Sequence, residues 1–104
     1  MSSIGANGAM IHYKPKPGIA SLLTNKEMYL LDSGGQYLDG TTDTTRTTHF
    51  GQPTKEEIDC YTRVLRGNLD VQRLKFKPGT TGREIDVLAR RHLWDVFLLL
   101  LIIL

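Results

Sequence analysis

Met28–Phe50 reads MYLLDSGGQYLDGTTDTTRTTHF, and this stretch decides the fold. Its opening, MYLLD, is an apolar and aromatic run of the kind that fills a strand. Asp39-Gly40 is a two-residue hairpin signal, because both residue types tolerate positive φ. Thr41–Phe50 holds six threonines in ten residues, and their β-branched side chains favour extended backbone. Two antiparallel strands joined at Asp39-Gly40 are therefore expected, with Ser33-Gly34-Gly35 interrupting the first as a bend or bulge would.

Upstream, Ala9–Tyr13 (AMIHY) reads as a further short strand, followed by the loop Lys14–Gly18, KPKPG. Downstream the period changes. Thr54 with Glu57 forms a capping box ahead of the helical stripe Ile58, Tyr61, Leu65 and Leu69, and Lys77-Pro78-Gly79 ends that helix. Thr81 with Glu84 caps a second helix, with Ile85, Leu88 and Ala89 on one face and an end near Asp95. Both stripes read as core faces. Strands first and helices after indicate an α+β chain rather than alternating βαβ units.

The remaining sequence bounds the function. The 104 residues suit one small domain, and 13 basic against 11 acidic side chains leave a net charge of +2. So small a charge, without any Lys/Arg run, gives no reason to expect a nucleic-acid partner. Lys14, Lys16 and Lys26 read as loop surface. Cys60 is the one cysteine and has no internal disulfide partner. Met1–Gly8 lacks the basic and apolar regions of a signal peptide, so a reducing, cytoplasmic setting is expected. Val96–Leu104, VFLLLLIIL, has no polar side chain, yet as a helix it spans roughly 14 Å at ~1.5 Å per residue, about half a bilayer core. It is too short to cross a membrane, and no membrane partner is expected.

Three residues stand out chemically. Asp32 ends an apolar strand, where a carboxylate is costly unless it caps a turn, pairs or binds a metal. Asp43 interrupts the threonine strand, where aspartate is disfavoured. If Asp39-Gly40 closes a two-residue hairpin, Asp43 faces Gln36 and lies about 13 Å along the strand from Asp32, whereas metals sharing a site sit ~3.5–4 Å apart. A plain hairpin therefore leaves the carboxylates apart, and a sharp bend at Ser33-Gly34-Gly35 would be needed to join them. His12, between Ile11 and Tyr13, is either a hydrogen-bonded strand residue or a catalytic group. His49 and His92 have no partner at a metal-ligand spacing, and Cys60 reads as a structural thiol.

Ile4–Tyr13 (IGANGAMIHY), Tyr29–Gly34 (YLLDSG) and Asp39–Phe50 (DGTTDTTRTTHF) together resemble the catalytic domain of Xaa-Pro aminopeptidase, or aminopeptidase P. That family belongs with the pita-bread-fold metallopeptidases, which include prolidase, methionine aminopeptidase and creatinase. The carrying motifs are Asp32-Ser33-Gly34 and Asp43-Thr44-Thr45-Arg46-Thr47, with the two aspartates eleven positions apart. The resemblance implies the N-terminal part of a pita-bread domain over residues 1–95, with a curved antiparallel sheet and two packed helices, and makes 96–104 a non-family tail. It further implies that Asp32 and Asp43 are the first two of five protein ligands of a dinuclear centre, usually manganese, with Asp43 bridging. His12 matches the histidine that lines the substrate pocket, and the substrate is a peptide with proline second. Family members are often homodimeric. The family's other ligands, one histidine in a His-Gly-x-Gly-His-Gly motif and two glutamates, have no match in this sequence. The resemblance therefore implies a piece of an enzyme, inactive alone, or otherwise a truncated interaction module.

Overall fold

A computed structural model describes residues 1–95; the apolar tail singled out in the sequence, 96–104, lies outside them. The chain forms two compact units, Met1–Pro53 and a second from Thr54 onward.

The first unit is a three-stranded antiparallel sheet in the order β1 (Ser2–Ile4), β2 (Met28–Gln36), β3 (Thr41–His49). The expected pair of strands is present and long. β2 runs through Ser33-Gly34-Gly35 with one unbroken register, from Met28 opposite His49 to Gln36 opposite Thr41, so the expected bend or bulge is absent. At Gly34 a Cβ would run into the Thr42 carbonyl oxygen, so the two backbones close together only because that position has no side chain. The Gly35 N–H donates to Thr42 Oγ1 (3.0 Å). β1 adds to the other edge of β2, with Ser2 opposite Leu31 and Ile4 opposite Tyr29. Ile4 is 4% exposed and Ser3 is buried beside it. Tyr29 and Phe50 stack as tilted rings 5.7 Å apart, closing the far end of the hairpin.

The hairpin turn differs from the expected one. The Tyr37 N–H donates to the Gly40 carbonyl at 2.8 Å, so the tip is Leu38-Asp39 rather than Asp39-Gly40. No tip residue has positive φ, so the primed turn favoured by Asp-Gly is not used. Moving the tip by one residue moves every cross-strand partner by two.

Ala9–Tyr13 is not a strand. Gly5–Ala9 forms a short 3₁₀ turn, with Gly5 at φ 55°, and Met10–Tyr13 closes a β-turn through Tyr13 N–H to Met10 O (3.1 Å). His12 takes the third position of that turn at φ 61°. The five residues are too few, and too little alternating, to hold a strand, and the 3₁₀ turn at Gly5–Ala9 already takes up the first of them.

The second unit is a helical hairpin, α1 (Lys55–Arg73) and α2 (Gly82–Trp94). Both capping boxes form as the sequence indicates: Thr54 Oγ1 accepts from Glu57 N–H (3.2 Å) and Glu57 Oε2 from Thr54 N–H (2.7 Å), while Glu84 Oε2 accepts from Thr81 N–H (2.7 Å). α1 ends earlier than Lys77-Pro78-Gly79, which instead forms the connecting turn with Gly79 at φ 88°. The helices meet at Gly67, the buried residue of α1, against Ala89 of α2, and Leu93 is 6% exposed.

That packing overturns part of the expected core. Ile58 (51% exposed), Tyr61 and Leu65 lie on the surface, because the face of α1 turned to α2 is the one carrying Gly67. Ile85, Leu88 and Ala89 are half-buried. Polar groups clamp the pair as well. Asp70 Oδ2 accepts from Arg91 Nη2 (2.7 Å) and lies 2.7 Å from His92 Nε2, and Arg63 Nη1 donates to the His92 carbonyl (2.9 Å). The His92 hydrogen bond, then that of Arg91, holds the Asp70 carboxyl below the usual range against the opposing effect of burial.

Candidate metal centre

The shifted register decides the geometry of the hairpin. Asp43 stands opposite Gly34, not Gln36 as the Asp-Gly turn suggested, and Asp32 stands opposite Thr45. Asp32 and Gly34 are two apart on one strand and share a face, so Asp32 and Asp43 are diagonal neighbours on that face. Diagonal pairs in an antiparallel sheet lie about 7–8 Å apart, with Cβ atoms somewhat closer. The two aspartates are thus near neighbours on one face of a plain hairpin, and the sharp bend that seemed necessary is not needed.

Their surroundings differ. Asp32 is half-buried, its N–H donates to the Met1 carbonyl (2.8 Å), and its Oδ1 accepts from Thr45 Oγ1 (2.8 Å). The Met1 ammonium donates to the Asp32 carbonyl oxygen. Asp43 is exposed, and among the described residues its side chain has no hydrogen bond or ion pair. Among the described residues no Lys or Arg pairs with either carboxylate; Arg46 turns its Nη1 to the Thr45 carbonyl (2.7 Å). Two hard oxygen donors on one face, neither tied up by a cation, have the chemistry a divalent ion such as Mn²⁺ requires. Among the described residues no group of three or more His, Cys, Asp or Glu side chains is placed to hold a metal, so this hairpin offers two donors and no third.

His12 lies on the exposed Met10–Tyr13 turn. A left-handed φ is uncommon away from glycine and costs on the order of 1 kcal/mol, but the third position of a turn calls for it and histidine is among the residues that adopt it. Beside it, Asn7 Nδ2 donates to Tyr13 Oη (3.2 Å) and to Ser21 Oγ (3.1 Å), at the rim of a cavity of about 90 Å³ that also touches Ser2 and Ser3. No hydrogen bond links His12 to Asp32 or Asp43. His49 accepts from Gly51 N–H through Nδ1 (3.0 Å), which places its proton on Nε2, and His92 belongs to the Asp70 clamp, so neither joins the carboxylates. Cys60 is a half-buried free thiol.

Thr45 escaped the sequence reading. Six threonines in a row of ten look like strand propensity, and only the register shows that one of them meets Asp32.

The model of metallopeptidase family M24 matches residues 1–99. The chain belongs to that family. Xaa-Pro aminopeptidase 1 of Dictyostelium discoideum is 60% identical over 96 residues, covering 92% of this chain and 15% of that protein. The X-prolyl aminopeptidase of Caenorhabditis elegans, described as a cytosolic enzyme with a di-nuclear active site, superposes with a TM-score of 0.86 at 40% identity, covering 93% of this chain and 16% of that one. The fold is therefore the expected partial pita-bread fold. This M24 chain spans about 15% of the length of the curated relatives it matches. Among the described residues no helix is long and apolar enough to cross a membrane.

Proposed function

We propose that this chain is the part of a metal-dependent Xaa-Pro aminopeptidase that supplies the first two carboxylate ligands, Asp32 and Asp43, to a dinuclear manganese centre. One observation carries the reading: the hairpin register sets both carboxylates diagonally on one face with no cation paired to either. When bound, the metal pair supplies Lewis acidity toward a scissile carbonyl. Asp32, hydrogen-bonded at one oxygen, and the exposed Asp43 would each supply a carboxylate to that metal pair. His12, exposed on the Met10–Tyr13 turn, would donate a hydrogen bond to the oxygen on which charge develops during cleavage. The substrate is a peptide with proline second, and the setting is cytoplasmic. The family segment includes residues 1–95, and the family match extends to residue 99. Alone, two carboxylates hold a cation weakly and support no turnover.

Loss of the free Mn²⁺ EPR signal on titration with the chain tests the ligand assignment, and hydrolysis of a proline-second peptide tests activity. Weak Mn²⁺ binding that disappears in Asp43→Ala and Asp32→Asn, with no cleavage above background, is expected. Binding by either variant as strong as that of the unaltered chain overturns the ligand assignment. Hydrolysis abolished by Asp32→Asn overturns the claim that the chain is inactive alone.

A further inference from the structure

The geometry points to Thr45 as the positioning residue of the metal site: its hydroxyl fixes the Asp32 carboxylate so that one oxygen is committed and the other is presented to the cation. This inference rests on the metal-ligand reading of Asp32 given above.

Thr45 is the direct cross-strand partner of Asp32, and its Oγ1 donates to Asp32 Oδ1 at 2.8 Å. Directly opposed Cβ atoms lie about 4.5–5.5 Å apart, so a one-atom reach from each side closes the bond without distortion. Asp32 Oδ2 has no hydrogen bond among the described residues. A hydroxyl has one proton to give, and giving it to Oδ1 both stops the carboxylate from rotating and leaves Oδ2 as the ligating oxygen.

The other threonines of β3 are not placed to do this. Thr42, Thr44 and Thr48 stand opposite Gly35, Ser33 and Tyr29, on the other face. Thr41 donates to Gln36 Oε1 (2.7 Å), and Thr47 stands opposite the apolar Leu30. Thr45 is also two positions from Asp43 on the same face, so it stands between the two carboxylates. Its β-branch restricts χ1 in a strand, which keeps the hydroxyl aimed. Arg46 Nη1, donating to the Thr45 carbonyl (2.7 Å), holds the backbone at the same point. Partners that orient a ligating carboxylate typically change metal affinity 10–100-fold when removed, by order of magnitude.

The test is Mn²⁺-induced broadening of amide signals in the full chain, read at residues 30–34 and 43–47. In the unaltered chain the broadening should centre on these two stretches. Thr45→Val keeps the shape and strand preference but removes the hydroxyl, and it should need roughly tenfold more Mn²⁺ for the same broadening, with the hairpin amide signals otherwise retained. Thr45→Ser should restore the response. Should valine disturb the hairpin signals, Thr45→Ala provides a second variant without the hydroxyl. No localised broadening in the unaltered chain overturns the metal reading itself. Localised broadening equal in Thr45→Val, or weakened alike in Thr45→Val and Thr45→Ser, overturns the role of the hydroxyl and leaves the metal reading standing.

Discussion

Gly67→Ala should destabilise the helical hairpin, although alanine is the better helix former. Within α1 the exchange gains about 1 kcal/mol of intrinsic propensity. At the contact with α2 it meets a wall. A Cβ built on Gly67 runs into the Ala89 carbonyl oxygen, and it lies 2.8 Å from the Ala89 carbonyl carbon and 3.2 Å from Ala89 Cα. All three are backbone atoms of a helix, which cannot swing aside as the end of a side chain can. Ordinary contact begins near 3.4 Å, so α2 must retreat by at least 0.6 Å to clear the carbonyl carbon alone, and further to clear the oxygen. That movement opens the packing around Leu93, the buried apolar residue of α2, and stretches the 2.9 Å bond from Arg63 to the His92 carbonyl.

Overpacking of this kind typically costs 1–3 kcal/mol, and rigid helix backbone as the neighbour puts this site in the upper part of that range, about 2–3 kcal/mol, so against the propensity gain the net loss should be about 1–2 kcal/mol. In a chain of this size that lowers the midpoint of the helical transition by roughly 4–8 °C per kcal/mol. Thermal and urea melts followed by circular dichroism at 222 nm measure it. Gly67→Ala as stable as the unaltered chain, or more so, would refute the claim that close backbone approach, rather than the apolar stripe, joins the two helices. Gly67→Leu should lose more than Gly67→Ala.

Three further outcomes follow from the same geometry. Asp70 has its pKa lowered in the folded state, so its contribution is present above the unfolded carboxylate value of about 3.9 and is lost as pH falls through the lower folded value; Asp70→Asn should therefore flatten the acid limb of a stability-against-pH profile below about pH 4. His12→Val should cost about 1–2 kcal/mol, because a β-branched residue resists φ 61°, whereas His12→Asn should be close to neutral; urea titration followed by amide signals of residues 10–13 separates them. Thr54→Ala removes the acceptor for Glu57 N–H and should cost roughly 1 kcal/mol in the urea melt of the helices.

Local chemistry made most of the fold legible. Thr54 with Glu57 and Thr81 with Glu84 mark both helix starts, because a capping box satisfies backbone donors within four residues and needs no distant partner. The threonine-rich segment reads as strand for the same reason. What failed depended on contacts across the chain. Ile58, Tyr61 and Leu65 have the spacing of a core face, yet α2 packs on the opposite side, where Gly67 allows close approach; periodicity identifies a stripe and not what covers it. Ala9–Tyr13 looks extended by composition but closes as a turn around His12. In the site, Asp32 and Asp43 were recognisable as unusual carboxylates, while their mutual placement was misjudged by a single turn residue. Thr45 was hidden because propensity explains every threonine in the run equally well.

The relation between Asp32 and Asp43 is local, since eleven positions and one hairpin separate them, and it depends on register alone. A one-residue slip would turn Asp43 to the opposite face of the sheet. A two-residue slip, which the Asp39-Gly40 turn would produce, keeps the face but carries Asp43 roughly 7 Å further from Asp32. Only the observed pairing makes them diagonal neighbours. Several contacts that touch neither carboxylate select it: the Tyr37–Gly40 bond that sets the tip at Leu38-Asp39, the Thr41–Gln36 bond beside it, the glycine-only approach of Gly34 to Thr42, and the Tyr29–Phe50 stack at the far end. Thr45 adds a contact that specifies register and orients a carboxylate at once. Two carboxylates of a candidate metal site are thus set side by side in a hairpin by residues with no metal-binding chemistry of their own.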